Sequence, residues 1–297
     1  MYIMEWGGAE VKCCKTFPFM NTYITCMTIA GSDPSGGAGI QADIKTFAAL
    51  GCYAQAAVTA LTVQNTLGVQ RTVPVEAELV RQQVQAVTDD VMPDAVKIGM
   101  VPNVDIAEAL AACLQRARPA FVVFDPVMAS SSGHALMATP HMQGIACSLF
   151  SQCTLVTPNL PEAQALLGST ETDAAVLAQD LGKVYPGTAF LIKGGHAGGS
   201  EATDVLCEGG RLHRFSHQRL HTANSHGTGC TLSSAIAAHV ARGLPLPEAV
   251  AAAKAYLTQA MQAGAGVFAG HGAGSLNHFL TPLPSIVRKK KVLLQAK

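Results

Sequence analysis

The amino-acid sequence predicts an α/β fold: a central, mostly parallel sheet with helices on both faces, a three-layer sandwich. Short apolar segments of strand length alternate with helical patterns over most of the chain. Of the 297 residues, 49% are hydrophobic and only 13% are charged, which is typical of buried strands. No linker or break in composition divides the chain. We expect one domain over residues 22–285, a flexible extension over 1–21, and a basic tail from 286 to 297 that frays.

Charge and cysteine usage exclude several functional classes. A formal net charge of zero and a pI of about 7.1 give no support for a nucleic-acid or anionic-membrane partner. No apolar run approaches the ~20 residues of a membrane span, and the first twenty residues lack the apolar stretch of a signal peptide. The nine cysteines contain no C-x-x-C pair, so neither a zinc site nor a disulfide framework is indicated. We expect a cytoplasmic protein.

The first predicted unit is a strand over 24–30, a glycine-rich loop over 31–39 and a helix over 40–50. The loop lacks the Lys-Ser/Thr pair of a P-loop and the spacing of a dinucleotide fingerprint. Asp43 lies one turn into the helix. Its carboxylate suits a hydrogen bond from a substrate, and it equally suits the start of a helix as a favourable charge.

A second apolar strand, over 54–61, ends in polar residues. Parallel sheets bind ligands at the carboxyl ends of their strands, so these residues are candidates for a site. Gln64 offers a donor and an acceptor there, which suits a heterocycle, although an ordinary surface residue explains it as well. Helices over 78–89 and 105–117 follow, with a strand and turn over 95–100 between them.

Acidic and amide side chains follow the next two strands. Asp125 ends a continuous apolar strand, where a carboxylate can hold Mg²⁺ or simply close a turn. The small residues of 129–133 form a loop able to move as a lid. After a short strand over 154–157, Asn159 and Glu162 lie three residues apart at the start of a helix, a spacing that favours capping.

The last third of the domain carries two lysines of interest. Lys193 ends an apolar strand beside two glycines, where it offers a point charge for phosphate. Segments 202–206 and 212–215 predict a hairpin. A long final helix over 247–262 carries Lys254.

A glycine-rich turn precedes an apolar helix that extends to about residue 242. Gly227 and Gly229 permit backbone angles and close approaches that other residues do not. Thr228 begins a helix whose first N–H groups are unpaired, which suits a phosphate or an oxyanion. Cys230 lies in the same field, which is expected to lower its thiol pKa and make it a base or a nucleophile. These residues alone are equally consistent with a purely structural turn.

Seven ordered motifs together carry a resemblance to a known family. They lie at residues 30–47, 59–66, 97–100, 125–128, 157–163, 193–196 and 226–233. The chain resembles the ribokinase-like superfamily and, within it, the hydroxymethylpyrimidine/phosphomethylpyrimidine kinases of thiamine biosynthesis. The resemblance covers about residues 22–280. It implies ATP-dependent phosphorylation of 4-amino-5-hydroxymethyl-2-methylpyrimidine (HMP), first to HMP phosphate and then to HMP diphosphate.

The resemblance also implies which residues hold the substrate and which act on it. The residues expected to hold the pyrimidine or wall its pocket are Gly31, Asp43, Gln64, Met100 and Val127. The residues expected to act at the transferred phosphoryl group are Gly227, Thr228, Gly229 and Cys230. The first three form an anion hole with the helix N-terminus, and the cysteine is the base for the substrate hydroxyl.

A third group of residues is implied at the nucleotide. Asp125 and Glu162 organise Mg²⁺, partly through water, and Asn159 and Glu162 also face the phosphates. Lys193 and Lys254 contact the nucleotide. The lid segment lacks the lysine often found there in the family, which puts its phosphate contact in question. The resemblance further implies a homodimer.

Three alternatives stay open. A pyridoxine/pyridoxal/pyridoxamine kinase would use the same chemistry, alone or as a second activity. A cysteine-nucleophile hydrolase would pair Cys230 with a histidine such as His226. A non-catalytic binding module would keep only the fold. Cysteine at 230, where many superfamily members carry Asp, favours the pyrimidine and pyridoxal kinases, and Gln64 within its Gln-Asn-Thr turn favours the pyrimidine.

Overall fold

The computed structural model describes residues 19–128, 139–196, 201–220, 222, 224–280 and 282–291, so the predicted lid at 129–133 lies outside the described residues. The described strands are β1 (Phe19–Tyr23), β2 (Thr25–Ser32), β3 (Tyr53–Asn65), β4 (Gly68–Pro74), β5 (Ala95–Ile98), β6 (Val122–Phe124), β7 (Leu155–Val156), β8 (Ala189–Ile192), β9 (Glu201–Glu208), β10 (Arg211–Gln218) and β11 (Val287–Lys291). The described helices are α1 (Gly39–Ala49), α2 (Ala77–Asp90), α3 (Val104–Ala117), α4 (Thr139–Leu149), α5 (Leu160–Leu167), α6 (Ala174–Val184), α7 (Thr228–Ala241) and α8 (Leu246–Gly264).

Nine strands form the central sheet in the order β10-β9-β8-β7-β6-β5-β2-β3-β4. All neighbours from β8 to β3 in this order are parallel, and antiparallel strands occur only at the two ends. The predicted mostly parallel sheet is therefore confirmed. The chain runs from β2 to β3 on one side and later returns to β5 on the other side of β2. Such a reversal of strand order opens a crevice at the carboxyl ends of β2 and β5, where α/β sheets bind ligands.

Two separate apolar cores lie on the two faces of the sheet. Alternate residues of the strands contribute to each, so that Ile29 faces one core and Cys26 faces the other. Helices α2 to α6 cover the first core, and α1, α7 and α8 cover the second. The three-layer arrangement follows directly from strands that are apolar on both sides.

Local sequence signals explain several element ends. Strands β9 and β10 pair antiparallel around Gly209 and Gly210, both of which have positive φ angles, of 54° and 80°. This is the backbone twist that a two-residue hairpin loop requires, and it confirms the predicted hairpin. Asn103 starts α3 by accepting a hydrogen bond from the Ile106 N–H at 3.0 Å.

The expectation that the chain frays from residue 286 is wrong for residues 287–291. Strand β11 pairs antiparallel with β1, which places Lys291 opposite Phe19. The Tyr23 ring stacks on Tyr53 of the main sheet, with ring centroids 5.7 Å apart. Backbone hydrogen bonds join the two strands, and such bonds depend little on side-chain composition. The lysine-rich sequence of β11 therefore gave no strand pattern. The division into extension, domain and tail stays a prediction.

The sequence patterns did not predict β4, α4 or α6, whose segments mix polar and apolar residues without a clear period. Among the helices that the structure describes, none is long and apolar enough to cross a membrane.

Candidate active site

A cleft of about 680 Å³ lies at the carboxyl ends of the parallel strands, at the reversal of strand order. Its walls come from segments that are far apart in sequence: the loops after β2, β5, β6, β7 and β8, the end of β3, and the start of α7. Every residue that the sequence singled out for the site lines this cleft, with the exception of Asp43. The fold therefore gathers in one place the residues that were predicted separately.

The glycine-rich turn forms one end of the cleft. Gly227 has a φ of 86°, and a Cβ built on it would lie 1.9 Å from the Gly37 carbonyl oxygen, so both the angle and the space require glycine. Helix α7 begins at Thr228, and its first N–H groups stand at the positive end of a fourteen-residue helix. Thr228, Gly229 and Cys230 all line the cleft at this end. The arrangement suits an anion.

The pKa of Cys230 differs from the sequence expectation. Burial raises the pKa of the thiol to about 11, whereas the helix field was expected to lower it. Lys97 and a hydrogen bond from the Gly39 backbone lower the pKa, and the carboxylates of Asp43 and Asp125 raise it. Desolvation of the charged thiolate is the largest cause of the shift, and the sulfur lies against Gly39 at the start of α1. The resting thiol is therefore protonated at neutral pH.

Two carboxylates and one lysine form a cluster beside the turn, since a Cβ built on Gly229 would lie 3.0 Å from Asp125 Oδ2. Lys193 Nζ lies 2.5 Å from Asp125 Oδ1 and 4.0 Å from Glu162 Oε2. Asp125 Oδ1 also accepts a hydrogen bond from Thr157 Oγ1 at 3.1 Å. The other oxygen, Asp125 Oδ2, is buried and has no hydrogen-bond partner among the described residues. A buried carboxylate oxygen that faces a cleft in this way suits a cation or a phosphate-bound metal.

Asn159 and Glu162 form the capping box that their spacing predicts. Asn159 Oδ1 accepts from the Glu162 N–H at 2.9 Å, and Glu162 Oε2 accepts from the Asn159 N–H at 2.7 Å. Burial raises the pKa of Glu162, although Lys193 opposes the shift. The two residues therefore start α5, and both also line the cleft.

The cluster offers few side chains that could bind a metal ion. Among the described residues, no group of three or more His, Cys, Asp or Glu side chains is arranged to hold a metal ion. Asp125 and Glu162 alone offer the one or two carboxylates with which Mg²⁺ is typically bound beside substrate phosphates and water. The donor set thus fits Mg²⁺ that arrives with a nucleotide.

Apolar side chains and one amide line another part of the cleft. A Cβ at Gly31 would lie 3.1 Å from Met100 Sδ, so the missing side chain leaves Met100 its place against the cleft. Val127 also lines the cleft, two residues after Asp125. The Gln64 amide lies at the rim, with its nitrogen 3.3 Å from His226 Nε2. A flat heterocycle fits between an apolar wall and such an amide.

Asp43 does not line the cleft. Its side chain is fully buried, and its oxygens accept hydrogen bonds from Lys97 Nζ at 2.8 and 2.9 Å. Thr28 and Ser234 also donate to it. The structure therefore places the carboxylate behind Cys230, where it does not form part of the cleft wall.

The sequence reasoning missed two carboxylates that hold residues of the site, Asp204 and Asp33. Asp204 accepts from Lys254 Nζ at 2.5 Å and from the Gly194 N–H at 2.8 Å, and so holds both the lysine and the turn after Lys193. His226 Nε2 lies 2.8 Å from Asp33 Oδ2. Asp204 lies in a segment without a local motif, whereas Asp33 lies in the glycine-rich loop over 31–39 and was not singled out there; their spatial neighbours identify both.

The sequence model of a family described as phosphomethylpyrimidine kinase matches residues 33–277. The chain is 46% identical over 256 residues to a hydroxymethylpyrimidine/phosphomethylpyrimidine kinase of Rhizobium meliloti, covering 85% of this chain and 96% of the relative.

Two solved structures have a similar fold. A phosphomethylpyrimidine kinase of Clostridium difficile gives a TM-score of 0.71 at 37% identity and covers 80% of this chain and 99% of its own. A pyridoxal kinase of Bacillus subtilis, solved as an ADP complex, gives a TM-score of 0.78 at 33% identity, with coverages of 86% and 98%.

Proposed function

The chain belongs to the phosphomethylpyrimidine kinase family, and from this premise we propose that it transfers phosphoryl groups from ATP to HMP and then to HMP phosphate, in thiamine biosynthesis. The observation that carries the proposal is the cleft itself. It joins an anion-binding helix start, a Lys–Asp–Glu cluster and an apolar wall with one amide within about 680 Å³. These are the parts that in-line transfer from a nucleotide to a small heterocycle requires.

The first transfer begins with the substrate hydroxyl beside Cys230. In the fraction of the enzyme in which Cys230 is a thiolate, the hydroxyl oxygen attacks the terminal phosphorus of ATP, its proton passes to the Cys230 sulfur, and the bond from that phosphorus to the ADP oxygen breaks. The N–H groups at the start of α7, in the Gly227–Gly229 turn, stabilise the negative charge on the transferred group. Base assistance of this kind is worth roughly 10²–10⁴ in rate.

The second transfer differs in its demand for a base. A phosphate monoester carries a charge of about −1.5 to −2 at neutral pH, so the attacking oxygen of HMP phosphate needs no deprotonation. The same anion hole and lysine cluster must neutralise more charge instead. Cys230 therefore assists the first transfer more than the second.

The nucleotide phosphates lie toward Lys193 and Lys254 in this proposal, with Asn159 and Glu162 at the start of α5. Mg²⁺ bound with ATP would contact Asp125 and Glu162, partly through water, and would supply charge neutralisation at the phosphates. The unpaired Asp125 Oδ2 supports this placement. Asp204 keeps Lys254 directed at the cleft.

The pyrimidine lies between Met100 and Val127 on one side and Gln64 on the other. An amide can donate to a ring nitrogen and accept from the exocyclic amine of an aminopyrimidine, whereas a carboxylate can only accept. Gly31 leaves room at the base of this pocket.

Pyridoxal phosphorylation is a second candidate function. It is favoured by the fold similarity to the Bacillus subtilis pyridoxal kinase, at a TM-score of 0.78. Pyridoxal also carries a hydroxymethyl group on a six-membered nitrogen heterocycle, so the same transfer would serve it.

One assay separates these functions: ADP release measured by an enzyme-coupled readout, with HMP, HMP phosphate and pyridoxal as parallel substrates. We expect ADP release that depends strictly on the added pyrimidine, with HMP diphosphate as the final product. A kcat/KM for pyridoxal about a hundredfold above that for HMP would reassign the substrate. ADP release independent of any acceptor, or none at all, would contradict the kinase, and a covalent adduct in intact-mass spectra during turnover would support a Cys230 hydrolase instead.

The proposal also includes an oligomeric state and a location: the protein forms a homodimer, and it is found in the cytoplasm. Leu61, Val63 and Leu67 are more than half exposed on the β3–β4 ribbon, which suits a surface that a second copy covers. Seven free thiols among the described cysteines fit a reducing compartment. Light scattering of the purified protein tests the dimer, since a monomer mass at micromolar concentration would contradict it, and cell fractionation tests the location.

A further inference from the structure

A buried ion pair lies behind Cys230, and the proposed transfer does not yet use it. Lys97 Nζ lies 2.8 Å from Asp43 Oδ2, and both side chains are 0% exposed. Two charges taken out of water cost several kcal/mol each, and their attraction often fails to offset that cost. A fully buried pair beside a reactive group is therefore a candidate for a role in that group's chemistry.

The pair is tied to Cys230 through two helices. On α7, Cys230 and Ser234 are four residues apart and share one face. On α1, Gly39 and Asp43 are likewise one turn apart. The Gly39 backbone donates to the Cys230 sulfur, and Ser234 Oγ donates to Asp43 Oδ1 at 2.7 Å. These two contacts join α1 to α7, and they place Asp43 one helical turn beyond the Gly39 that contacts the sulfur.

Lys97 reaches this position because β5 leaves room for its ammonium. A Cβ built on Gly99 would lie 2.8 Å from Lys97 Nζ and 2.9 Å from Ala30 Cβ. The segment Lys97–Met100 therefore supplies the buried cation, the space it needs and the apolar wall of the cleft in four residues.

We propose that Lys97 and Asp43 are positioning residues for Cys230: the ammonium compensates the negative charge of the thiolate, and the carboxylate holds the ammonium in place while limiting that compensation. This inference rests on the proposed role of Cys230 as a base. The other charged groups that act on the sulfur are Asp125 and Lys193, from the cluster beside the first turn of α7.

The electrostatic directions agree with this geometry. Lys97 lowers the pKa of the Cys230 thiol, and Asp43 raises it. In the other direction, Asp43 and the Cys230 thiolate both raise the pKa of Lys97 against its burial, so the lysine stays charged. The two partners of one ion pair therefore act on the thiol with opposite sign.

Because Lys97 and Asp43 shift the thiol pKa in opposite directions, the thiol pKa can be measured in variants of each residue. Two residues with a merely structural role would not produce shifts of opposite sign. The rate of Cys230 alkylation by iodoacetamide is measured against pH by peptide mass spectrometry, with the exposed Cys147 in the same samples as an internal control. Lys97→Met should raise the apparent thiol pKa by about one unit, which slows alkylation roughly tenfold at a fixed pH below it. Asp43→Asn should lower the pKa by a similar amount, and Cys147 should not change.

The double variant Lys97→Met/Asp43→Asn keeps the buried charge balanced and guards against misfolding of a single variant. Its thiol pKa should fall between those of the single variants. Equal thiol pKa values in the two single variants, or shifts in the same direction, would overturn the proposal. Retained kcat in Cys230→Ala would instead refute the base assignment, and the alkylation result would then describe a charge coupling without a catalytic role.

Discussion

Gly229 and Asp125 approach so closely that a Cβ at residue 229 would lie 3.0 Å from Asp125 Oδ2. The first turn of α7 is thereby packed directly against the carboxylate that is proposed to face Mg²⁺. The contact joins the two ends of the site, since Lys193 Nζ would also lie 3.6 Å from the same Cβ. A glycine inside a helix is conformationally unfavourable, so its presence here follows from the space it leaves.

Gly229→Ala should lower kcat/KM for HMP at least tenfold, because the added methyl group displaces Asp125 or Lys193 from the phosphates. Gly182→Ala is the matched control: it lies inside α6, and its added Cβ would have only Cys207 Sγ nearby, at 3.9 Å. The control should keep full activity and gain about 0.5–1 kcal/mol in the free energy of unfolding. Equal activity in both variants would show that the close contact has no catalytic consequence.

Cys230→Ala should cut kcat for HMP at least tenfold while the pyrimidine still binds, because the hydroxyl loses its proton acceptor. With HMP phosphate as substrate the loss should be much smaller, since the attacking oxygen is already ionised. Steady-state kinetics with each acceptor measure both effects, and Cys147→Ala on the surface of α4 is the control. An unchanged kcat with HMP would refute the base.

The pH dependence of the first transfer follows from the raised thiol pKa. Burial raises the pKa of Cys230 to about 11, so the base form grows as pH increases up to that value. We expect kcat/KM for HMP to rise with pH through the neutral and mildly alkaline range, without levelling off until the pH nears the thiol pKa. In Cys230→Asp the profile should level off at a lower pH, since a carboxyl group ionises earlier. A flat profile in the wild type would exclude the thiolate as the working base.

Gln64→Ala should weaken pyrimidine binding while the affinity for ATP changes little, because the amide lies beside His226 and not in the cluster of Lys193, Asp125 and Glu162. The loss of one hydrogen-bonding amide in a pocket costs about 1–3 kcal/mol. Isothermal titration with HMP and with a non-hydrolysable ATP analogue measures the two affinities separately. Equal weakening of both ligands would indicate a structural role for the residue.

The sequence predicted the parallel core of the fold because apolar strands and helices carry clear periods. It missed β4, α4 and α6, which mix residue types, and the β1–β11 pair, which depends on contacts between the two ends of the chain. The cleft residues were identified through motifs that each lie on one loop. The sequence patterns did not identify Asp204 and Asp33, because the side chains they pair with, Lys254 and His226, are remote in sequence.

By itself, the sequence determined the layered α/β fold, the glycine turn before α7 and the family, because local periodicity and short motifs depend on neighbouring residues. The tertiary structure decided the state of Cys230 and the place of Asp43. The helix start was expected to lower the thiol pKa, but burial raises it. Asp43 was expected in the pyrimidine pocket, yet it lies behind the sulfur, paired with Lys97. Both outcomes depend on desolvation and on charges brought together from distant segments, and no local pattern encodes these.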